Sequence, residues 1–307
     1  PEYFFRAIIS SYEKFTVDQE KLNNYDCLVI GTPVRIPVRV EAASAMSRKI
    51  PTICIDHGNE TGTADHPSWG YDEQSYCSHF VGYGPQGKKS LREGVYTKSL
   101  FNNQPEYLES NSNFIQRKFD KNQIKKLNFN DENLKGLYVP NRLEGYYKLG
   151  PFHSISDEEY IKWQKYLINS LPGIHLKEHP KQILKSQIEN CTIVKGYLES
   201  CINDYDFFVT DTALSTAFAN IAATNKTIIY FNIGLGNISK VARKFIYKRV
   251  IWIDVNIDNP GNLRKKILDC GDQRKINLYT PSFSLSNTEK NREDVVVNLI
   301  QQLKASR

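Results

Sequence analysis

His179 lies in the segment Lys177-Glu178-His179-Pro180, directly after the apolar run Gly173-Ile174-His175-Leu176. The proline restricts the backbone of the residue before it, which holds the imidazole near the end of that run. An imidazole fixed there can donate a proton or a hydrogen bond to a departing phosphate, and Lys177 adds positive charge. A lone histidine also serves as an ordinary structural residue, and His-Pro as a dipeptide discriminates little. A second group of polar residues, Thr210 to Thr216, follows the apolar run Phe207 to Val209. Ser215 and Thr216 fall in the first turn of the helix expected next, where hydroxyls and free backbone amides can grip a phosphate. The same residues admit a purely structural role, in which Thr212 or Ser215 caps the helix and Asp211 closes the strand.

Carboxylates form the third group. Asp56, His57 and Gly58 end the run Thr52 to Ile55, with Glu60 close behind. A carboxylate at such a strand end can deprotonate an acceptor hydroxyl or act as a nucleophile. The structural alternative is a turn in which Asp56 and Asn59 bond their own backbone. Glu144, with Gly145 beside it in the loop after Gly136-Leu137-Tyr138-Val139-Pro140, competes for the same role. The remaining histidines, His66, His79, His153 and His175, lack metal-ligand spacing, so no metal and no tightly bound cofactor is expected. Gly234-Leu235-Gly236 follows a strand but lacks the third glycine and the ribose-binding acid of a dinucleotide fingerprint.

The elements that must carry these residues alternate between strand and helix. In the first third, FFRAIIS, Asp26 to Pro33, Pro51 to Gly58 and Ser78 to Pro85 read as buried strands ending in turn residues, and VEAASAMSRK between two of them reads as a helix. Residues 102–133 turn polar, with one helix expected around 111–119. From Gly136 the alternation is clearer: Ser156 and Glu159 make a capping box ahead of Tyr160, Trp163, Leu167 and Leu171 at helical spacing. Strands then follow at GIHLKEHP, CTIVKG, YDFFVTD, TIIYFNIG and VIWIDV, with helices at ALSTAFANIAA, near 241–247 and after Pro260. Ser286 with Glu289 reads as a last capping box before the stripe Val296, Leu299, Ile300 and Leu303. Succession of this kind forms parallel sheets covered by helices, and ligands of such sheets bind beyond the carboxyl ends of the strands.

The 307 residues exceed what one core usually serves. The division expected is an acceptor-side Rossmann-like domain over 1–133, a nucleotide-donor domain over 134–285 and a C-terminal helix over 286–307. With 40% hydrophobic and 24% charged residues, disorder and fibrous repeats are excluded. Apolar runs fall far short of a membrane span. Six cysteines without C-x-x-C spacing fit a reducing cytoplasm. The net charge of +6 suits anionic ligands, but the cations are dispersed and no nucleic-acid motif accompanies them. The basic stretch 240–249 is a candidate contact with an anionic membrane surface.

The K-x-H-P segment, followed one strand-helix-strand later by YDFFVTDTALSTAF and a strand ending in FNIG, resembles bacterial surface-polysaccharide glycosyltransferases of the GT-B fold. That resemblance implies two Rossmann-like domains with parallel sheets facing a central cleft and a C-terminal helix packing back. It points to a CMP-sugar donor, as in the Kdo transferases and sialyltransferases, whose HP motif and Ser-Ser/Thr pair would here be His179-Pro180 and Ser215-Thr216, with Lys177, Asp211 and Gly145 also on the donor side. Kdo is the expected sugar, since the acidic-acidic-Gly motif of several sialyltransferases is half present at Leu143-Glu144-Gly145. His57, Gly58 and Glu60 would lie on the acceptor side, with Asp56 or Glu144 as base or nucleophile. The acceptor implied is a glycan or glycolipid of lipopolysaccharide or capsule, at the inner face of the cytoplasmic membrane. CDP-glycerol glycerophosphotransferases of teichoic-acid synthesis share the layout and are the alternative. A nucleotide-sugar epimerase of the same architecture and a non-catalytic sugar-nucleotide-binding module are the other readings.

Overall fold

A computed structural model describes residues 22–31, 33, 35–56, 63–64, 73–83, 105–110, 127–129, 131, 133–143, 154–180, 188–189, 191–271 and 291–305, with a few isolated positions before residue 15. The chain forms two compact units, Pro1–Asn113 joined by Pro281–Arg307, and Phe114–Thr280.

In the first unit four parallel strands lie in the order β1 (Leu28–Ile30), β2 (Thr52–Ile55), β3 (His79–Tyr83), β4 (Glu106–Ser110). Successive side chains of a strand point to opposite faces, and the core divides accordingly. Ile30, Cys54 and Phe80 pack with helix α1 (Ile36–Ser47), whose buried Ala42, Ser44 and Ala45 permit close approach. Ile53 and Val81 pack on the other face with Val295 and Leu299 of the C-terminal helix α7 (Arg292–Ala305), backed by Val296, Ile300 and Leu303. The expected C-terminal stripe is thus the cover of one sheet face. Its helix starts at Arg292, where the Asn291 side chain accepts from the Asp294 amide at 2.8 Å. Ser286 and Glu289 lie outside the described residues.

Two expectations for this unit change. Arg6, Ser10 and Ser11 are helical where a strand was expected, and the other residues of FFRAIIS lie outside the described residues. Phe4, Phe5, Ile8, Ile9 and Tyr12 recur every three to four residues, a helical spacing that the β-rich composition obscured. Strand β4 arises in the stretch read as polar and without strands. Among the described residues it pairs with a neighbour on one side only, and such a strand tolerates the exposed Glu106 that hid it. The helix expected over 111–119 lies outside the described residues.

The second unit holds six parallel strands in the order β10-β9-β8-β5-β6-β7: β5 (Gly136–Tyr138), β6 (His175–Lys177), β7 (Ile193–Val194), β8 (Phe207–Thr210), β9 (Thr227–Asn232) and β10 (Ile251–Asp254). Helix α2 (Asp157–Ser170) opens with the expected capping box: the Glu159 amide donates to Ser156 Oγ at 3.3 Å and the Ser156 amide to Glu159 Oε2 at 3.0 Å. Its Trp163 meets Phe231 of β9 edge-on at 5.6 Å, in one core with Leu167, Val209, Ile229 and Ile267 of helix α6 (Leu263–Gly271). After the short α3 (Leu198–Cys201), α4 (Thr216–Ala222) and α5 (Lys240–Arg249) meet side chains of the alternate register, Phe218 against Tyr230 and Tyr247 against Trp252.

Candidate functional site

Strand order in the second unit reverses between β5 and β8, and all six strands are parallel, so their carboxyl ends share one edge. That edge holds His179 and Pro180 after β6, Asp211 to Ser215 after β8, and Asn232 to Gly234 after β9. At a reversal of strand order the neighbouring loops part, which makes this the place for a ligand in a doubly wound sheet.

Asp211 sits at that reversal and faces inward. Its carboxylate, 1% exposed, accepts from the Tyr138 hydroxyl, from the Tyr160 hydroxyl at 2.7 Å and from Trp163 Nε1 at 2.9 Å. One side chain therefore ties the ends of β5 and β8 to α2. Tyr160 in turn accepts from the Asn141 amide at 2.8 Å, which fixes where the chain leaves β5. Burial pushes the Asp211 carboxyl up, and the hydrogen bonds from Tyr138, Tyr160 and Trp163 oppose that rise. Asp211 was expected among the donor-binding groups; in the structure its buried carboxylate accepts from these three side chains, an arrangement that positions the edge.

Lys177 is also turned in. Its ammonium donates to the carbonyls of Glu178 at 2.8 Å and Gly196 at 2.6 Å, joining the end of β6 to the turn after β7. Burial lowers its pKa, with Cys201, Glu178 and Glu199 acting the other way. The ammonium expected to assist His179 is thus held by two carbonyls at the end of its strand. Ser215 is the N-cap of α4 and accepts from the Phe218 amide at 3.1 Å, so the capping alternative is the one observed. Thr210 and Thr212 close the turn before it, with Thr212 Oγ1 accepting from the Leu214 amide at 3.2 Å. Thr216 is exposed and His179 half-buried, on the same edge. Glu144 and Gly145 lie outside the described residues.

The first unit has its own edge. Asp56, 4% exposed, follows β2 and gives its amide to the Val81 carbonyl at 3.0 Å. Arg292, at the start of α7, reaches this edge: Nη1 donates to Tyr83 Oη at 2.6 Å and to the Asp56 carbonyl at 3.5 Å, with the guanidinium 5.5 Å from the centre of the Tyr83 ring. A pocket of about 490 Å³ opens beside them, lined by Gly31, Ile55, Asp56, Arg292, Glu293 and Val296. Glu73 is a buried second carboxylate that sequence reading missed, and its field acts with that of Asp56 on Tyr83 and Cys54. The signal for it was weak, one of two adjacent acids, Asp72 and Glu73, ahead of a strand. The Cys77 thiol and burial together push the Cys54 thiol up, which makes it a poor nucleophile. His57, Gly58 and Glu60 lie outside the described residues.

No protein-family model matches the sequence, and no curated protein does. Solved structures do match. An S. aureus MnaA–UDP co-structure is 15% identical, with 96% of this chain and 79% of that one covered and a TM-score of 0.54. The UDP-GlcNAc 2-epimerase from Neisseria meningitidis bound to UDP-GlcNAc is 12% identical, covering 96% and 81%, at a TM-score of 0.50. The fold is GT-B-like. At these identities the likeness speaks for the fold alone, and it extends over nearly the whole chain. The membrane reading of residues 240–249 changes in one respect: Arg249 is 3% exposed and gives Nε to the Ala222 carbonyl and Nη2 to those of Thr224 and Lys226, closing the end of α4. Among the described residues no helix is long and apolar enough to cross a membrane.

Proposed function

We propose that the protein is an enzyme acting on a sugar nucleotide, with the nucleotide held at the carboxyl edge of the second unit's sheet. The observation that supports this most is the GT-B-like fold over 96% of the chain, shared with proteins solved with UDP and with UDP-GlcNAc. Among the described residues of that edge, His179 is half-buried and Thr216 exposed, and these two are taken to face the ligand. The costly event in such a reaction is separating the nucleotide phosphate from the anomeric carbon. A donor aimed at the growing charge contributes about 3 kcal/mol, roughly a hundredfold in rate. His179 is assigned that role. Asp56 is assigned to proton transfer at the edge of the first unit, with Glu144 as its rival.

The finer reading is sugar transfer, with Kdo from a CMP donor moved to a glycan or glycolipid acceptor; it rests on His179-Pro180 and Ser215-Thr216. A second reading, epimerisation of a uridine-linked sugar, draws on a different observation. Asp56 and Glu73 are two buried carboxylates whose fields meet on the same tyrosine. Removing a proton at one place and returning one at another needs two such groups, whereas transfer to an acceptor hydroxyl needs one.

Calorimetric titration with CMP, CDP, UMP, UDP and GMP tests the class, and selective binding of one pyrimidine nucleotide is the expected result. Binding of none would overturn the proposal. CMP selectivity followed by acceptor-dependent loss of CMP-Kdo would support transfer, CDP selectivity would favour glycerophosphate transfer, and UDP selectivity with an isomerised sugar formed without acceptor would support the second reading. His179→Ala is expected to lose about a hundredfold in turnover while keeping the far-ultraviolet dichroism of the parent. Ser215→Asn keeps a capping oxygen but removes the hydroxyl. A fall in nucleotide affinity at unchanged thermal midpoint would assign that hydroxyl to the ligand as well as to the helix.

A further inference from the structure

At the opposite edge of the second unit's sheet, where β5, β6 and β8 begin, lies a cavity of about 400 Å³. Its walls include Phe129, Phe207, Leu171, Pro172 and Ile267, with Arg264 at the rim. The size falls in the range of small-molecule sites. It is separated from the candidate nucleotide edge by the length of β5, roughly 10 Å for three extended residues. Gly136 opens β5 without a side chain, and the Phe207 ring occupies the space a Cβ would take. Phe207 meets Phe129 edge-on at 5.5 Å and 84°, so the apolar wall is a fixed aromatic surface.

The charges around it are unequal. Asp131 also lines the cavity and keeps its negative charge; its Oδ1 accepts from the Asn133 amide at 2.9 Å and the Asn133 side chain at 3.1 Å, which holds the carboxylate toward Asn133 and leaves the Arg264 side as the one that suits an anion. Arg264 is exposed and has no hydrogen bond or ion pair to any described residue. It also stands in the first turn of α6 with Lys265 and Lys266, and no acid shares that turn. Cations at a helix N-terminus oppose the helix dipole and raise the local potential. Asn262 caps this turn, its Oδ1 accepting from the Lys265 amide at 2.9 Å and its carbonyl from the Lys266 amide at 3.1 Å, so the draw on an anion comes from the side-chain cations, of which Arg264 lines the cavity.

We propose that this cavity is a second ligand site, distinct from the nucleotide edge, for an amphipathic anion with a flat apolar body of about two rings and one carboxylate, sulfonate or phosphate head held by Arg264. The apolar body lies against Phe129 and Phe207, and the head meets the Arg264 guanidinium.

The test uses 8-anilinonaphthalene-1-sulfonate on the full chain, with fluorescence read as a function of probe concentration. The expected result is saturable binding of one probe per chain, weakened about fivefold or more in Arg264→Glu, the scale of one lost charge-assisted contact. Lys265→Glu makes the same charge change on a residue that does not line the cavity, and is expected to alter affinity less than twofold. N-phenyl-1-naphthylamine, which lacks the sulfonate, is expected to bind wild type and Arg264→Glu alike. Saturating UDP or CMP should not displace the sulfonate probe. Absence of saturable binding, equal affinity in wild type and Arg264→Glu, equal losses in both charge reversals, or displacement by nucleotide would each overturn the proposal, and none of these bears on whether the nucleotide edge binds its own ligand.

Discussion

Asp211 shows how much of a residue's surroundings type and spacing leave out. It ends a strand beside a turn rich in hydroxyls, where an acid facing a ligand is a fair expectation, yet its partners Tyr138, Tyr160 and Trp163 lie 73, 51 and 48 residues away. No local pattern carries that information. Asp211→Ala would leave three buried donors without an acceptor, each a penalty of about 1–3 kcal/mol, so a loss of about 3 kcal/mol or more is expected in chemical denaturation. The carboxyl also sets a pH dependence. Burial raises its folded pKa above the unfolded value, so the folded state holds the proton more readily. The resulting contribution is fully present below the unfolded carboxylate pKa of about 4 and fades as pH rises through the raised folded value. Urea midpoints measured from pH 4 upward should therefore carry a declining component in wild type that Asp211→Asn lacks. Equal slopes in the two proteins would mean that the carboxyl titrates as it does in the unfolded chain.

Among the elements, the second unit was the more legible because its central strands β5, β8 and β9 are buried on both faces and bounded by turn residues. Runs such as Phe207 to Val209 and Ile228 to Phe231 fall inside observed strands, and the capping box at Ser156 forms as its spacing implies. What stayed hidden depended on partners distant in sequence: the one-sided pairing of β4, the inward turn of Lys177 to Gly196, and Arg292 reaching Tyr83 across 209 residues. Gly136 belongs to this class as well. It reads as an ordinary start of a strand, but a Cβ there would stand 2.3 Å from the far carbon of the Phe207 ring. That ring can swing away only by giving up its edge-on contact with Phe129, so Gly136→Ala is expected to cost about 1–2 kcal/mol, in the range of a modest overpacking. Thermal denaturation measures the loss. An unchanged midpoint would mean that the ring relocates freely and that the aromatic wall of the cavity is not fixed.

Across the whole molecule, the chain leaves its first unit, builds the second and returns to finish the first. The first unit's sheet is therefore incomplete on one face until α7 covers Ile53 and Val81. Two such cores should respond separately to damage, because each core cluster of the described residues lies within a single unit. Leu299, 7% exposed, is a clean probe of this, since truncating a buried leucine to alanine costs about 2–5 kcal/mol. Leu299→Ala is expected to speed amide exchange in β2 and β3, while exchange in β8 and β9 keeps its wild-type rates. Hydrogen exchange followed by mass spectrometry resolves the two sets of strands. Acceleration of both by the same factor would show that the units unfold as one cooperative body, and the last helix would then stabilise the second unit as much as the sheet it covers.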